Sequence, residues 1–147
     1  MARYTTSVRT TRPVDEVFAY MSDLRNFSEW DPGTKRVVQS QGDGPGLGAR
    51  YDVTASGPGR DILLPYQVIE WNEGSLTARA DTARLTSLDH ITVRVDGDST
   101  IVTYDADLQL KGWLAFADVG LRLAFKRIGD KAAAGLARTL EGTIIPS

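Results

Sequence analysis

The chain of 147 residues contains no cysteine and only one histidine, His90. Disulfides, thiol nucleophiles and thiolate metal sites are therefore excluded, and a reducing compartment is favoured. Zinc needs three or four nitrogen, sulfur or carboxylate ligands, so no metal site is predicted. A Ser-His-Asp centre would depend on His90, and the GxSxG motif that often accompanies one is absent.

Basic charge and long apolar runs are also scarce. The net charge is -2 and the pI is near 5.4, so neither nucleic acid nor an anionic membrane is an expected partner. The first twenty residues contain five charged side chains and no apolar segment, which predicts neither a secretory signal nor membrane insertion. The expected location is the cytoplasm, and no cofactor is predicted. The glycine cluster QGDGPGLG, residues 41–48, lacks the GxGxxG spacing and a Walker lysine, so it predicts a loop between strands.

The length and the 41% of hydrophobic residues are typical of one globular domain, here residues 1–147. A strand is predicted at residues 4–10, followed by two short helices with apolar side chains at helical spacing. Residues 34–104 are predicted to form about six antiparallel strands, separated by the turn sequences GPGR, NEGS and DGDS. A long amphipathic helix is predicted after Gly112. One apolar sheet face covered by one helix predicts an α+β fold.

Five segments carry a family resemblance when taken in order: RPVDEVFAYMSD, NFSEWDPG, LPYQVIEWNEG, LDHITVRVDGDSTIVTYDADLQLKG and LRLAFKRIGDKAAAGLARTL. The chain resembles the START-like, Bet v 1-like (SRPBCC) superfamily, in particular its polyketide cyclase/dehydrase and lipid-transport group. The resemblance implies a helix-grip fold, in which a seven-stranded curved antiparallel sheet wraps around the C-terminal helix. It also implies a pocket for a hydrophobic ligand. Such folds support many functions, including transport, cyclisation and hydrolysis.

The DGDS turn sets the pairing of the last predicted hairpin. With Val95 opposite Thr100, the side chains of Asp89, Ile91 and Tyr104 point to the inner, apolar face. Asp89 and Tyr104 are therefore the candidate catalytic residues, although Asp89 could instead reach solvent near a strand end. His90 is predicted on the outer face opposite Asp105, where an ion pair is commonly inert.

The NEGS turn predicts that Trp71 pairs with Leu76 and that Ile69 pairs with Ala78, which places Ile69 and Trp71 inside and Arg79 outside. A bulge near Pro65 or an irregular turn at residues 82–84 would change this assignment, so the orientations of Arg79 and Tyr66 stay open.

Four further aromatic residues are candidate ligand contacts. Phe27 and Trp30 lie in the polar segment NFSEWDPG and are expected to face the interior, either as core packing or as part of a ligand cavity. Trp113 and Phe116 precede the long helix, where they could gate a ligand entrance or fasten the start of the helix. The predicted ligand-binding set is Phe27, Trp30, Ile69, Trp71, Ile91, Tyr104, Trp113 and Phe116.

Two functions are consistent with these features. The first is binding of a lipid, polyketide or other apolar ring compound between the sheet and the C-terminal helix. The second is an enzyme of the polyketide cyclase or aromatase type, with Asp89 or Tyr104 moving protons. A partner-binding accessory protein is a third hypothesis. Separately, the free edge of the strand at residues 4–10 permits a homodimer without requiring it.

Overall fold

The computed structural model describes residues 2–57, 59–112 and 118–147. Its strands are β1 (Ala2–Thr10), β2 (Thr34–Gln41), β3 (Arg50–Ser56), β4 (Asp61–Asn72), β5 (Ser75–Asp81), β6 (Leu85–Asp96), β7 (Ser99–Leu110) and β8 (Thr143–Ile145). Its helices are α1 (Val14–Ser22), α2 (Phe27–Trp30) and α3 (Asp118–Thr139), with a 3-10 turn at Leu24–Asn26 before α2. The predicted α+β order of one strand, two short helices, six strands and a long helix is confirmed.

All the strands belong to one antiparallel sheet in the order β2-β3-β4-β5-β6-β7-β1-β8. The eighth strand, β8, was not predicted. It pairs with Ser7–Arg9 of β1 and so covers part of the edge that was expected to be free for a homodimer.

Helix α3 lies against β1 and also close to Gly33, the residue before β2, although β1 and β2 are far apart in the strand order, so the sheet is strongly curved. In a flat sheet β1 and β2 would lie about 29 Å apart, at about 4.8 Å per strand. Yet a Cβ atom on Gly129 of α3 would lie 2.4 Å from the ring of Tyr4 in β1, and a Cβ atom on Gly33, beside β2, would lie 3.7 Å from Ile128 of α3. The sheet therefore wraps around α3, as the helix-grip prediction requires.

The two halves of α3 are packed differently. Leu136, together with Leu140 just after the helix, is buried in the core, and Gly135 lies against the backbone of Trp30. In the first half, Leu123 is 73% exposed and Ile128 is 44% exposed. The prediction of one broad buried apolar face is therefore right only for the second half, where glycine and alanine permit close contact. None of the described helices is long and apolar enough to cross a bilayer.

Candidate functional site

The β6–β7 hairpin places Asp89 and Tyr104 on the inner face of the sheet. The structure has the predicted pairs, with Asp89 opposite Ala106 and Ile91 opposite Tyr104. Asp89 is only 4% exposed, and Ile91 is completely buried. Val95 departs from the predicted inner set because it is 59% exposed near the end of the hairpin, beyond the reach of the core.

Three hydroxyl groups surround the carboxylate of Asp89. The hydroxyl of Tyr104 donates to Oδ2, and those of Tyr66 and Ser87 each lie 3.3 Å from Oδ1. Tyr66 and Ser87 are also hydrogen-bonded to each other at 2.7 Å. These four side chains form what we call the Asp89 network: Ser87 and Asp89 from β6, Tyr66 from β4 and Tyr104 from β7.

Burial decides the proton affinities in the Asp89 network. It raises the pKa of Asp89 from its ordinary value of 3.8 to about 6, against the opposing effect of the hydrogen bonds from Tyr104, Tyr66 and Ser87. The charge of Asp31 acts in the same direction as burial. Burial, followed by the Asp89 charge, raises the pKa of both Tyr66 and Tyr104 well above 10.0. Asp89 is therefore the group in this network that changes protonation near neutral pH.

Phe27 and Trp30 pack edge-on against Tyr104. The Phe27 and Trp30 ring centroids are 5.0 Å apart, and the Trp30 and Tyr104 centroids are 5.3 Å apart. Both α2 aromatics are buried in the core, with Trp30 2% exposed. Core packing, one of the two roles predicted for them, is thus present, and it puts both rings beside the Asp89 network. The indole nitrogen Nε1 of Trp30 has no hydrogen-bond partner among the described residues.

Several inner-face side chains remain half-buried although their neighbours are fully buried. Tyr104 is half-buried despite its contacts with Phe27, Trp30 and Asp89. Trp71 is also half-buried, with its ring 5.4 Å from that of Phe18. Tyr104 and Trp71 therefore keep accessible surface on the inner face of the sheet. Leu64 of β4 and Leu108 of β7 are also half-buried, and Leu64 packs against the core.

Ile69 was predicted inside, and this placement is wrong. A β-bulge lies between Val68, which pairs with Ala78, and Glu70, which pairs with Thr77, so Ile69 does not pair with Ala78. The bulge turns both Ile69 and Glu70 outward, and Ile69 is 42% exposed. The same bulge puts Tyr66 and Val68 inside on one side of it and leaves Trp71 facing inward on the other. The orientation of Tyr66, left open by the sequence, is thereby inward.

A matched pair of substitutions tests the bulge. Val68→Ser is expected to lower the free energy of unfolding by at least about 2 kcal/mol, because it leaves a cavity and a buried hydroxyl. Ile69→Ser should change it by less than about 0.5 kcal/mol, as is usual for an exposed position. Urea denaturation of both variants measures this difference. A larger loss for Ile69→Ser than for Val68→Ser would contradict the bulge.

His90 and Arg79, which were not selected as candidate site residues, lie on the outer face of the sheet. His90 is exposed and its Nδ1 lies 2.8 Å from the hydroxyl of Thr77, whereas the Asp105 opposite it is bonded by Arg3 and Thr5. Arg79, whose orientation the sequence left open, is exposed, with Asp81 3.6 Å away. Among the described residues no group of three or more histidine or acidic side chains is placed to hold a metal ion.

Two predicted contacts, Trp113 and Phe116, lie outside the described residues. An open groove along α3 has different lining residues: Leu123, Lys126, Arg127, Asp130, Lys131 and Ala134. None of the predicted site residues that the structure describes lines this groove, and no member of the Asp89 network does.

Sequence reasoning missed Tyr66 and Ser87 as members of the network. Ser87 had a usable signal, because it lies two residues before Asp89 on the same strand and hence on the same face. Tyr66 had none that could be used alone, because its face depends on the bulge at Ile69.

A family model described as polyketide cyclase / dehydrase and lipid transport matches residues 1–141. The chain belongs to this family. The match covers nearly the whole chain, and with the curved sheet and α3 it confirms the START-like resemblance. Members of the polyketide cyclase/dehydrase and lipid-transport family have a fold compatible with binding of a hydrophobic ligand. A search of curated protein sequences finds no match.

Solved structures share the fold at low sequence identity. A START superfamily protein from Mycobacterium smegmatis aligns with a TM-score of 0.76 and 14% identity, covering 96% of this chain and 98% of that one. The Zhui aromatase/cyclase from a Streptomyces species aligns with a TM-score of 0.75 and 12% identity, covering 95% and 93%. A major latex-like protein from Panax ginseng aligns with a TM-score of 0.58 and 13% identity, covering 88% and 97%. These likenesses establish the fold and leave the ligand to be argued from the site.

Proposed function

We propose that this protein binds a hydrophobic small molecule, such as a lipid, a polyketide or another apolar ring compound, between the inner face of the sheet and α3. The polar group of the ligand would lie at Asp89 and Tyr104. The observation that carries this proposal is the incomplete burial of Tyr104, which keeps accessible surface although it lies on the inner face. A ligand that covers this surface would remove apolar area from water at a gain of about 25 cal/mol per Å².

The lining follows from the same placement. Trp71 and Tyr104 have accessible surface of their own and would contact the ligand directly. Phe27, Trp30 and Ile91 are buried, so they would support the Tyr104 ring and become contacts only where a ligand shifts it. Trp113 and Phe116 remain candidates from the sequence alone. A cytoplasmic location and a single domain over residues 1–147 are also part of the proposal.

A second function is favoured by the raised pKa of Asp89, about 6. A carboxyl with a pKa near neutrality is suited to general acid–base catalysis. In a cyclase or aromatase reaction, ionised Asp89 would accept a proton from an acidic methylene of a poly-β-keto chain. The electron pair left on that carbon would form the new bond to a carbonyl carbon of the same chain as the carbonyl π bond breaks. The Tyr104 hydroxyl would donate a hydrogen bond to the developing oxyanion, and protonated Asp89 would then return the proton to that oxygen.

Native mass spectrometry of the purified protein tests the binding function. We expect a population heavier than the polypeptide by the mass of one apolar molecule, which denaturing extraction then releases for identification. An unmodified mass, together with no rise in melting temperature in the presence of a panel of lipids and aromatic compounds, would contradict the proposal. Stabilisation is the expected response because a ligand that binds only the folded state raises its stability.

Asp89→Asn and Tyr104→Phe separate binding from catalysis. Both substitutions keep the size of the side chain while they remove the titrating carboxyl or the hydroxyl. Retained ligand affinity with loss of turnover would favour the cyclase function, whereas unchanged affinity and unchanged turnover in both variants would exclude the Asp89 network as the site.

A further inference from the structure

Among the described residues, no cationic side chain is buried beside the carboxylate of Asp89. Every lysine and arginine is exposed except Arg12, which is half-buried and bonded to Glu16 and Glu141. The three donors that surround Asp89 are neutral hydroxyl groups. A buried carboxylate of this kind is normally paired or neutralised, because desolvation of an unpaired charge is costly.

A second carboxylate adds to the negative potential of the same region. Asp31, between α2 and β2, is half-buried and accepts hydrogen bonds from the Gly33 amide and the Thr34 hydroxyl. Neither of these donors carries a charge, and the field of Asp31 is felt at Asp89, Tyr66 and Tyr104. The electrostatic potential at the polar end of the proposed cavity is therefore negative.

The walls beside Asp89 are aromatic, and one of them has a donor without a partner. Tyr104, Trp30 and Phe27 form one cluster of rings, and ring faces attract cations. Nε1 of the buried Trp30 has no hydrogen-bond partner among the described residues. An ammonium group has no acceptor for this donor, so the argument for the ligand rests on the carboxylates and the ring faces.

We propose that the ligand is an apolar compound carrying a protonated amine, which donates to Asp89 beside the rings of Tyr104 and Trp30. This proposal rests on the ligand-binding function proposed above and adds its selectivity. An ammonium group neutralises the buried carboxylate and gains from the aromatic ring faces. A fatty acid or another carboxylate ligand is rejected, because a like charge beside Asp89 and Asp31 is repelled.

Three probes with the same apolar body test the selectivity: naphthylmethylamine, naphthylmethanol and naphthylacetic acid. We expect isothermal titration calorimetry near neutral pH to give the amine an affinity about tenfold above that of the alcohol, with the acid weaker again, since tenfold corresponds to about 1.4 kcal/mol. This comparison uses the wild-type protein and so does not depend on the folding of any variant.

Asp89→Asn assigns the preference to one carboxyl. In this variant the amine should lose about tenfold in affinity and approach the alcohol, because the charge that selects it is gone. Asp105→Asn is the matched control, since Asp105 lies on the outer face with Arg3, and it should keep the wild-type preference.

The outcomes separate the two proposals. Binding of all three probes without preference for the amine, or an unchanged preference in Asp89→Asn, would overturn the selectivity while leaving the ligand-binding function in place. Failure of all three probes to bind would overturn the ligand-binding function and the selectivity with it.

Discussion

Compared with the wild type, the Asp89→Asn variant is expected to be relatively more stable at alkaline pH than at acidic pH. The folded-state pKa of Asp89 is about 6, against an ordinary value of 3.8, so the folded protein binds the proton more tightly than the unfolded chain does. The stability that Asp89 contributes to the wild type is therefore fully present below pH 3.8. It falls as the pH rises from 3.8 to about 6, and it is lost above the folded-state pKa. The size of the loss is roughly 3 kcal/mol, at 1.36 kcal/mol per pKa unit.

Urea denaturation of the wild type and of Asp89→Asn, at about pH 4 and about pH 8, measures this effect. The unfolding free energy of the variant minus that of the wild type should be more positive at the higher pH by roughly 2 to 3 kcal/mol. The full value of roughly 3 kcal/mol is not reached because part of the titration window lies below the lower pH. Asparagine can accept from one tyrosine hydroxyl through its oxygen and donate to the other through its amide nitrogen, so the network should persist in the variant.

Asp105→Asn provides a control of opposite sign. The Arg3 hydrogen bond lowers the pKa of Asp105, so its stabilising contribution is present above its ordinary pKa and is lost as the pH falls through the folded-state value. This variant should therefore be less stable than the wild type at the higher pH. Equal pH dependence of Asp89→Asn and the wild type would show that Asp89 is solvated and is not part of a buried network.

Gly135→Ala is expected to destabilise the protein by about 2 to 3 kcal/mol, the upper part of the range for overpacking. A Cβ atom at Gly135 would lie 1.9 Å from the backbone oxygen of Trp30, so either α2 or α3 has to move. Because Trp30 packs against Tyr104, the displacement should also weaken ligand binding at the Asp89 network.

Gly120→Ala is the matched control in the same helix. A Cβ atom there meets none of the described residues outside its own helix turn within 4 Å, so the substitution should stabilise the protein by roughly 0.5 to 1 kcal/mol through helix propensity alone. Chemical denaturation of both variants gives the comparison. A Gly135→Ala variant as stable as the wild type would mean that α3 is not in close contact with Trp30.

The parts of the fold that were predictable are those with a local signal. The DGDS turn determines the pairing of β6 with β7, and this pairing alone put Asp89 and Tyr104 on the inner face and His90 outside. The α+β architecture followed from hydrophobic spacing and from the resemblance to a known family.

The predictions that failed concern features that depend on contacts between residues distant in sequence. The bulge at Ile69 has no glycine or proline to mark it, so strict alternation placed Ile69 inside and left Tyr66 undecided. Leu123 and Ile128 have the spacing of a buried helix face, but exposure depends on how closely the sheet approaches α3 along its length. Strand β8 has only three residues, too short for a recognisable pattern, and exists because β1 offers an edge.

Backbone chemical-shift mapping by NMR during titration with naphthylmethanol tests most directly whether the interior of the sheet holds the ligand. We expect the largest shifts at Trp30, Ser87, Asp89 and Tyr104, and small ones at His90 and Arg79 on the outer face. Shifts confined to the α3 groove at Leu123, Lys126 and Arg127, with none on the inner face of the sheet, would contradict a ligand site at the Asp89 network.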